Sequence, residues 1–216
     1  MDIQRQLTAF AMLGATWVMW LLVILSVIGL TIVLERAYYL LSSMGNFEQL
    51  RAEVRRYLEA RNGAADRRQL ARHKSFEAKV ALAGLDAVHD GPAAAEERMA
   101  VESQRARMTM ERNVAFLGTV GNNAPFVGLL GTVIGVIRAF HELDAAAGQV
   151  TRGLMTEIGE ALVATAIGIL VALPAVAFYN LYQRIIRRRL QRAESLSREI
   201  LAFLKSTSPA GSVKAE

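Results

Sequence analysis

The carboxylate of Glu160 stands at the head of 23 uncharged, mostly apolar residues that run as far as Arg184. Thr165 follows within that stretch, and Thr132 lies in another long uncharged window. A titratable group with hydroxyls at depth in an apolar segment is the equipment a proton path needs. A charge at the bilayer centre costs about 2.5–3.5 kcal/mol on insertion scales, so such residues usually face a cavity or a partner. The windows contain no basic residue to neutralise Glu160. The competing reading sets Glu160 at the outer end of its segment, reaching the headgroups, with Glu157 one turn earlier marking an interfacial helix start. Taken singly, Thr132 and Thr165 carry no signal, because a helical hydroxyl can bond its own i−4 carbonyl. Glu157 is a candidate accessory to the path, since two nearby carboxylates do not titrate independently.

Other chemistries lack their residues. The chain has no Walker loop, no HExxH and no GxSxG. "GLLGTVIG" is rich in glycine but sits in an uncharged window with no following Lys, so it is no phosphate cradle. His73, His89 and His141 are dispersed and read as surface residues. Without cysteine there is no disulfide, thiolate or Cys-metal chemistry, and no metal or cofactor is expected.

Three windows must position the candidate residues: Thr16–Leu34, Asn113–Ile137 and Ala161–Gln183, of 19, 25 and 23 residues, all free of charge. A spanning helix needs about 20 residues, so each qualifies on length. A single anchor ahead of a soluble core is the competing arrangement, because Asn122, Asn123 and Pro125 also suit a buried soluble helix. Glu35-Arg36 after the first window stands where a signal peptide would carry small residues, so the window reads as a retained anchor. Of the 25 Lys and Arg, 14 fall in 35–112 and eight follow the third window, with Arg36, Arg105, Arg107, Arg112, Arg184 and Arg187–Arg189 at the flanks. The positive-inside rule then places the N-terminus outside and the C-terminus in the cytoplasm. The net charge of +5 reads as a basic surface beside a membrane rather than a nucleic-acid site.

The expected fold is an all-α membrane protein with three transmembrane helices and long helical cytoplasmic extensions. An amphipathic periplasmic N-terminus fills 1–15, carrying Ile3, Leu7 and Phe10 on one face. Helices cross at 16–34, 113–140 and 153–183, a cytoplasmic helical domain occupies 35–112, and a periplasmic loop covers 141–152. A cytoplasmic helix follows at 184–206 and a disordered tail at 207–216. Asn62-Gly63 and Asp90-Gly91-Pro92 break the cytoplasmic domain, with Pro92 placed to start a helix. With no proline from Ala93 to Ala124, that helix could run straight into the second span, where Pro125 would kink it.

Small residues line the second and third spans: Gly128, Gly131 and Gly135 in one, and Ala161, Thr165, Gly168, Ala172 and Ala175 in the other. In lipid, helices associate by close backbone approach, so such seams mark helix contacts. Packing within one chain explains them. Ala164, Ala166 and Ala177 add small residues on a further face, which points to an oligomer. A structural scaffold that oligomerises through these seams and docks a cytoplasmic partner is the rival function.

"FLGTVGNNAPFVGLLGTVIGVIRAF" and "EIGEALVATAIGILVALPAVAFYN" together resemble the paired signature of the MotA/TolQ/ExbB proton-channel family, in its TolQ/ExbB branch. The resemblance covers about residues 105–190, and the three-span arrangement agrees with that branch. It implies a bacterial inner-membrane subunit forming a homo-oligomer, a pentamer, around a dimer of a single-span TolR/ExbD-like protein. Protons are the coupling ion, and the work is passed to a TonB-, TolA- or motility-type effector for transport, envelope maintenance or gliding. The resemblance also assigns the essential third-span carboxylate to Glu160 within "GEALVATA", with Thr165 in the same motif and Thr132 in "LLGTVIG". Two departures stand out. Arg138, His141, Glu142 and Asp144 stand at the outer end of the second span where the family often has apolar or neutral residues. "LMTEIGEAL" replaces the usual "APG" approach and sets Glu157 beside Glu160.

Overall fold

A computed structural model describes residues 14–59 and 64–207. The amphipathic segment expected at 2–13, the Asn62-Gly63 breaker and the tail beyond Thr207 lie outside the described residues. Seven α-helices follow in chain order: α1 Thr16–Ser42, α2 Phe47–Glu59, α3 Ala64–Leu70, α4 Phe76–Asp86, α5 Pro92–Glu111, α6 Val114–Ala145 and α7 Arg152–Thr207. A 3-10 turn, Val88–Asp90, precedes α5, and the described residues contain no strand.

The caps explain most of the boundaries. Asn46 Oδ1 accepts from the amides of Glu48 and Gln49 at 3.1 and 3.3 Å and opens α2. Ser75 does the same for α4 through the amide of Ala78, and Thr151 for α7 through that of Leu154. Gly91, at φ 95°, turns the chain into Pro92 at the first position of α5. One expectation fails here. The helix from Ala93 does not continue into the second span: Arg112 is extended (φ −50°, ψ 132°) and Asn113 is left-handed at φ 59°. Asparagine is among the few non-glycine residues that adopt that conformation at small cost, so the break needs neither proline nor glycine. Pro125 and Pro174 both lie inside helices that continue on either side of them.

Three helices, α1, α6 and α7, are long and apolar enough to cross a membrane. The chain divides into two compact units, one within Met1–Glu35 and Asn113–Tyr182, the other within Arg36–Arg112 and Gln183–Glu216. In the first, Val18 and Leu22 of α1, Val120, Ala124 and Ile134 of α6, and Val171, Ala172 and Ala175 of α7 form one buried cluster. Tyr182 Oη donates to the carbonyl of Val33 at 2.7 Å and ties α7 to α1. The outward faces carry Trp20, Ile24, Val27, Phe126, Leu129, Leu162, Leu170 and Leu173, all exposed. Large apolar side chains turned outward on three apolar helices suit a lipid solvent and form no core of a water-soluble bundle. The chain is thus an all-α membrane protein with three spans.

In the second unit, Leu50 and Val54 of α2, Ala78, Val80 and Ala81 of α4, and Ala95 and Met99 of α5 are buried, together with Ile186, Ala193, Leu196 and Ile200 from the end of α7. Arg36 and Arg189, read from sequence as membrane-flanking positives, are buried as well. Arg36 Nη1 donates to the carbonyl of Thr109 at 2.8 Å. Arg189 donates to Ser43 Oγ at 2.8 Å and to the Ser43 carbonyl, lies 3.6 Å from Glu77 Oε1 and covers the ring of Phe76.

Candidate functional site

The site is set by how α6 meets α7, and that is set by glycine. A Cβ built on Gly128 would stand 2.8 Å from the Ala164 carbonyl and 3.1 Å from Cα of Gly168. One on Gly131 would meet Ala164 Cβ at 2.7 Å, and one on Gly135 would meet Ala161 Cβ at 2.5 Å. One on Gly168 would stand 2.7 Å from the carbonyl oxygen of Ala124. Gly128, Gly131, Gly135, Ala161, Gly168 and Ala172 are therefore all spent on packing within one chain. Ala164 belongs to the same buried seam, whereas Ala166 and Ala177, grouped with it from sequence, are exposed.

Thr165 is half-buried in this seam, and its hydroxyl crosses between the helices to donate to the carbonyl of Gly128 at 3.2 Å. The Thr132 hydroxyl stays on its own helix, donating to the carbonyl of Leu129 at 2.6 Å. Thr132 follows Gly131, which faces Ala164, so the two threonines lie about one turn apart in depth. Both are half-buried.

Glu160 points away from the seam. Its side chain is exposed, eight residues into α7, or about 12 Å from Arg152 at the helical rise. No hydrogen bond or ion pair joins it to Thr132, Thr165 or any other described residue. Glu157, one turn earlier, packs inward against α6 instead. It is largely buried, and its Oε1 lies 2.8 Å from Arg138 Nη2 of α6. Its second oxygen, Oε2, is buried without a hydrogen-bond partner among the described residues. The structure thus brings Thr165 to the α6 backbone and Glu157 to Arg138, and leaves Glu160 facing outward.

Arg138 is the residue that sequence reasoning noted only as a departure. The signal was available in the seam: Gly135 faces Ala161, Arg138 lies three residues beyond Gly135 on α6, and Glu157 lies four before Ala161 on α7. In antiparallel helices those offsets bring the two side chains to one face. Of the histidines, His89 and His141 are exposed, while His73 is half-buried with its Nε2 2.9 Å from Glu53 Oε2. The described residues hold no cluster of three or more potential metal ligands.

Comparison with known proteins identifies the family. Residues 72–195 match the model of the MotA/TolQ/ExbB proton channel family, a stretch that holds α4 to α6 and the membrane part of α7. The chain is 40% identical over 83 residues to the putative biopolymer transport protein ExbB-like 2 of Helicobacter pylori, covering 38% of this chain and 55% of that one. It is 37% identical over 119 residues to the Tol-Pal system protein TolQ of Pseudomonas aeruginosa, covering 55% and 50%. Against the biopolymer transport protein ExbB of Aquifex aeolicus it is 34% identical over 103 residues, covering 46% and 70%. The chain spans about half the length of the first two of these relatives. With more than half of its residues inside the family match, the chain belongs to the MotA/TolQ/ExbB proton channel family, in the TolQ/ExbB branch.

Proposed function

We propose that this protein is a bacterial inner-membrane proton-channel subunit that works with a single-span TolR/ExbD-like partner to couple the proton motive force to mechanical work at the cell envelope. The observation that carries the reading is Glu160: a carboxylate on a lipid-depth helix, exposed on the outer face of its own chain and without a partner among the described residues. An unpaired carboxylate is expensive in hydrocarbon, so its place is explained if another chain covers it and supplies the group with which it exchanges a proton. Thr165 and Thr132 stand at neighbouring depth and provide hydroxyls along the same path. The coupling ion is the proton, and no bound cofactor is required. The subunit works as a homo-oligomer, a pentamer, that forms the stator wall around the partner dimer. Its N-terminus is periplasmic and its C-terminus cytoplasmic. The work serves import, envelope maintenance or motility.

The scaffold reading relied on glycine seams as contacts between copies. The glycines and Ala164 are occupied inside one chain, which weakens that reading, and of the small residues on the further face Ala166 and Ala177 stay exposed.

The test is proton flux into liposomes that contain the full chain and a TolR/ExbD-like protein. Glu160→Ala should reduce flux to the level of liposomes holding the chain alone, with the detergent-extracted complex unchanged in size. Flux at the unaltered level in Glu160→Ala removes Glu160 from the mechanism and the proposed function with it.

A further inference from the structure

Two carboxylates lie one turn apart on α7, yet they are not equivalent. Glu160 is exposed and has no partner among the described residues, whereas Glu157 faces inward against Arg138 at 2.8 Å, with side-chain exposures of 15% for Glu157 and 30% for Arg138. Little else with charge reaches Glu157. On α6, Glu142 lies one turn beyond Arg138 and packs toward Gly153, and His141 is exposed. On α7 the charged neighbours are Arg152, exposed at the helix start, and Glu160 itself. On the α1 side, Gly14 sits directly against the Arg138 guanidinium, and Thr16–Leu34 carries no charge. Among the described residues, Arg138 is therefore the single cation in contact with Glu157, and the buried Oε2 has nothing else to lean on.

Charge balance gives this pair a consequence for its neighbour. Paired, Arg138 and Glu157 sum to zero and act on Glu160 only as a dipole. Unpaired, either one would be a full charge beside it in a medium of low dielectric constant, where Coulomb interactions are strong. We propose that Arg138 is a positioning residue that holds Glu157 as the fixed half of an internal ion pair, so that proton exchange at this end of α7 is confined to Glu160. The inference rests on the proposed proton-channel function and deepens it by separating the carboxylate offered to the partner chain from the one held in an internal ion pair.

The experiment uses the same liposomes, with the full chain and its TolR/ExbD-like partner, and reads flux as a function of pH. Arg138→Gln exposes Glu160 to an unpaired anion and Glu157→Gln exposes it to an unpaired cation. The two single variants should move the pH midpoint in opposite directions, each by about half a unit, the scale expected for one charge a helical turn away. Arg138→Gln/Glu157→Gln, which removes both charges, should restore the original midpoint. A pair that served only to hold the helices together would lower yield without moving midpoints in opposite senses. Unmoved midpoints in both singles, or a midpoint displaced in the double variant, overturn the proposal. If one single variant fails to assemble, the other is compared with the double variant, and equal midpoints in those two overturn the proposal. Glu160→Gln is the parallel control: flux retained there sinks the proton-channel reading itself, and flux lost there with unmoved midpoints in the other variants sinks only the role of Arg138.

Discussion

A methyl carbon added at Gly168 would lie 2.7 Å from the carbonyl oxygen of Ala124 and 3.0 Å from Cα of Gly128. Both neighbours are backbone, so neither can rotate aside and the helices must separate. Overpacking of this kind costs about 1–3 kcal/mol. Gly168→Ala should therefore lower the thermal unfolding midpoint of the detergent-solubilised chain. Gly159 is the internal control. It lies on the same helix beside Glu160, and a Cβ there meets nothing within 4 Å. Alanine at an open helical position gains about 1 kcal/mol of helix propensity. Gly159→Ala should leave the midpoint unchanged or raise it. Equal losses at both glycines would mean that close approach is not what the seam residues provide. Thr165 shows the same logic in polar form, since its hydroxyl reaches the Gly128 carbonyl only because the backbones come so near at that level.

At the scale of elements, the end of α7 is held in the second unit by a buried polar cluster as well as an apolar face. Arg189, 5% exposed, reaches Ser43 after α1, with Glu77 and Phe76 of α4 beside it. Burial pushes the Glu77 carboxyl up from its ordinary value of 4.5, against the opposing pull of its backbone hydrogen bond, Arg189, Arg192 and Ser75. The sign follows from linkage. A carboxyl raised in the folded state contributes stability that is fully present below 4.5 and is lost as the pH climbs through the raised value. Glu77→Gln should abolish that part of the pH dependence, so the difference in unfolding midpoint between variant and unaltered chain changes from acid to neutral pH, followed by circular dichroism. A constant difference would show that Glu77 titrates alike in both states. These elements also show what the sequence reveals and what it hides. The spans were legible because lipid tolerates no charge across about 20 residues, a one-dimensional signal. Pro92 and Gly91 were legible because each fixes backbone conformation alone. The break at Asn113 was not, since asparagine only permits a left-handed turn. Arg189 and Arg36 read as flanking positives because burial of a cation depends on partners that α4 and α5 bring from far along the chain.

For the whole molecule, what remained hidden in sequence was which side of α7 each carboxylate faces, a question of register between two helices. What was legible was the charge asymmetry, which gives an orientation: 14 of the 25 Lys and Arg in 35–112 and eight after the third window, with only Arg138 and Arg152 between the second and third. Exposed Arg105, Arg107, Arg112, Arg184, Arg187 and Arg188 keep this bias on the surface. The positive-inside rule predicts a periplasmic loop at 146–151 and a cytoplasmic end of α7. The chain has no cysteine, so a single introduced thiol reports its own side of the membrane. Gln149 in that loop and Ser195 on α7 are both exposed. In intact cells, Gln149→Cys should react with a membrane-impermeant maleimide, whereas Ser195→Cys should react only after the inner membrane is opened. The opposite pattern would invert the topology. It would also set the Arg138–Glu157 pair, which lies on the loop side of Glu160, at the cytoplasmic mouth of the path instead of the periplasmic one, and so reverse the direction from which protons reach Glu160.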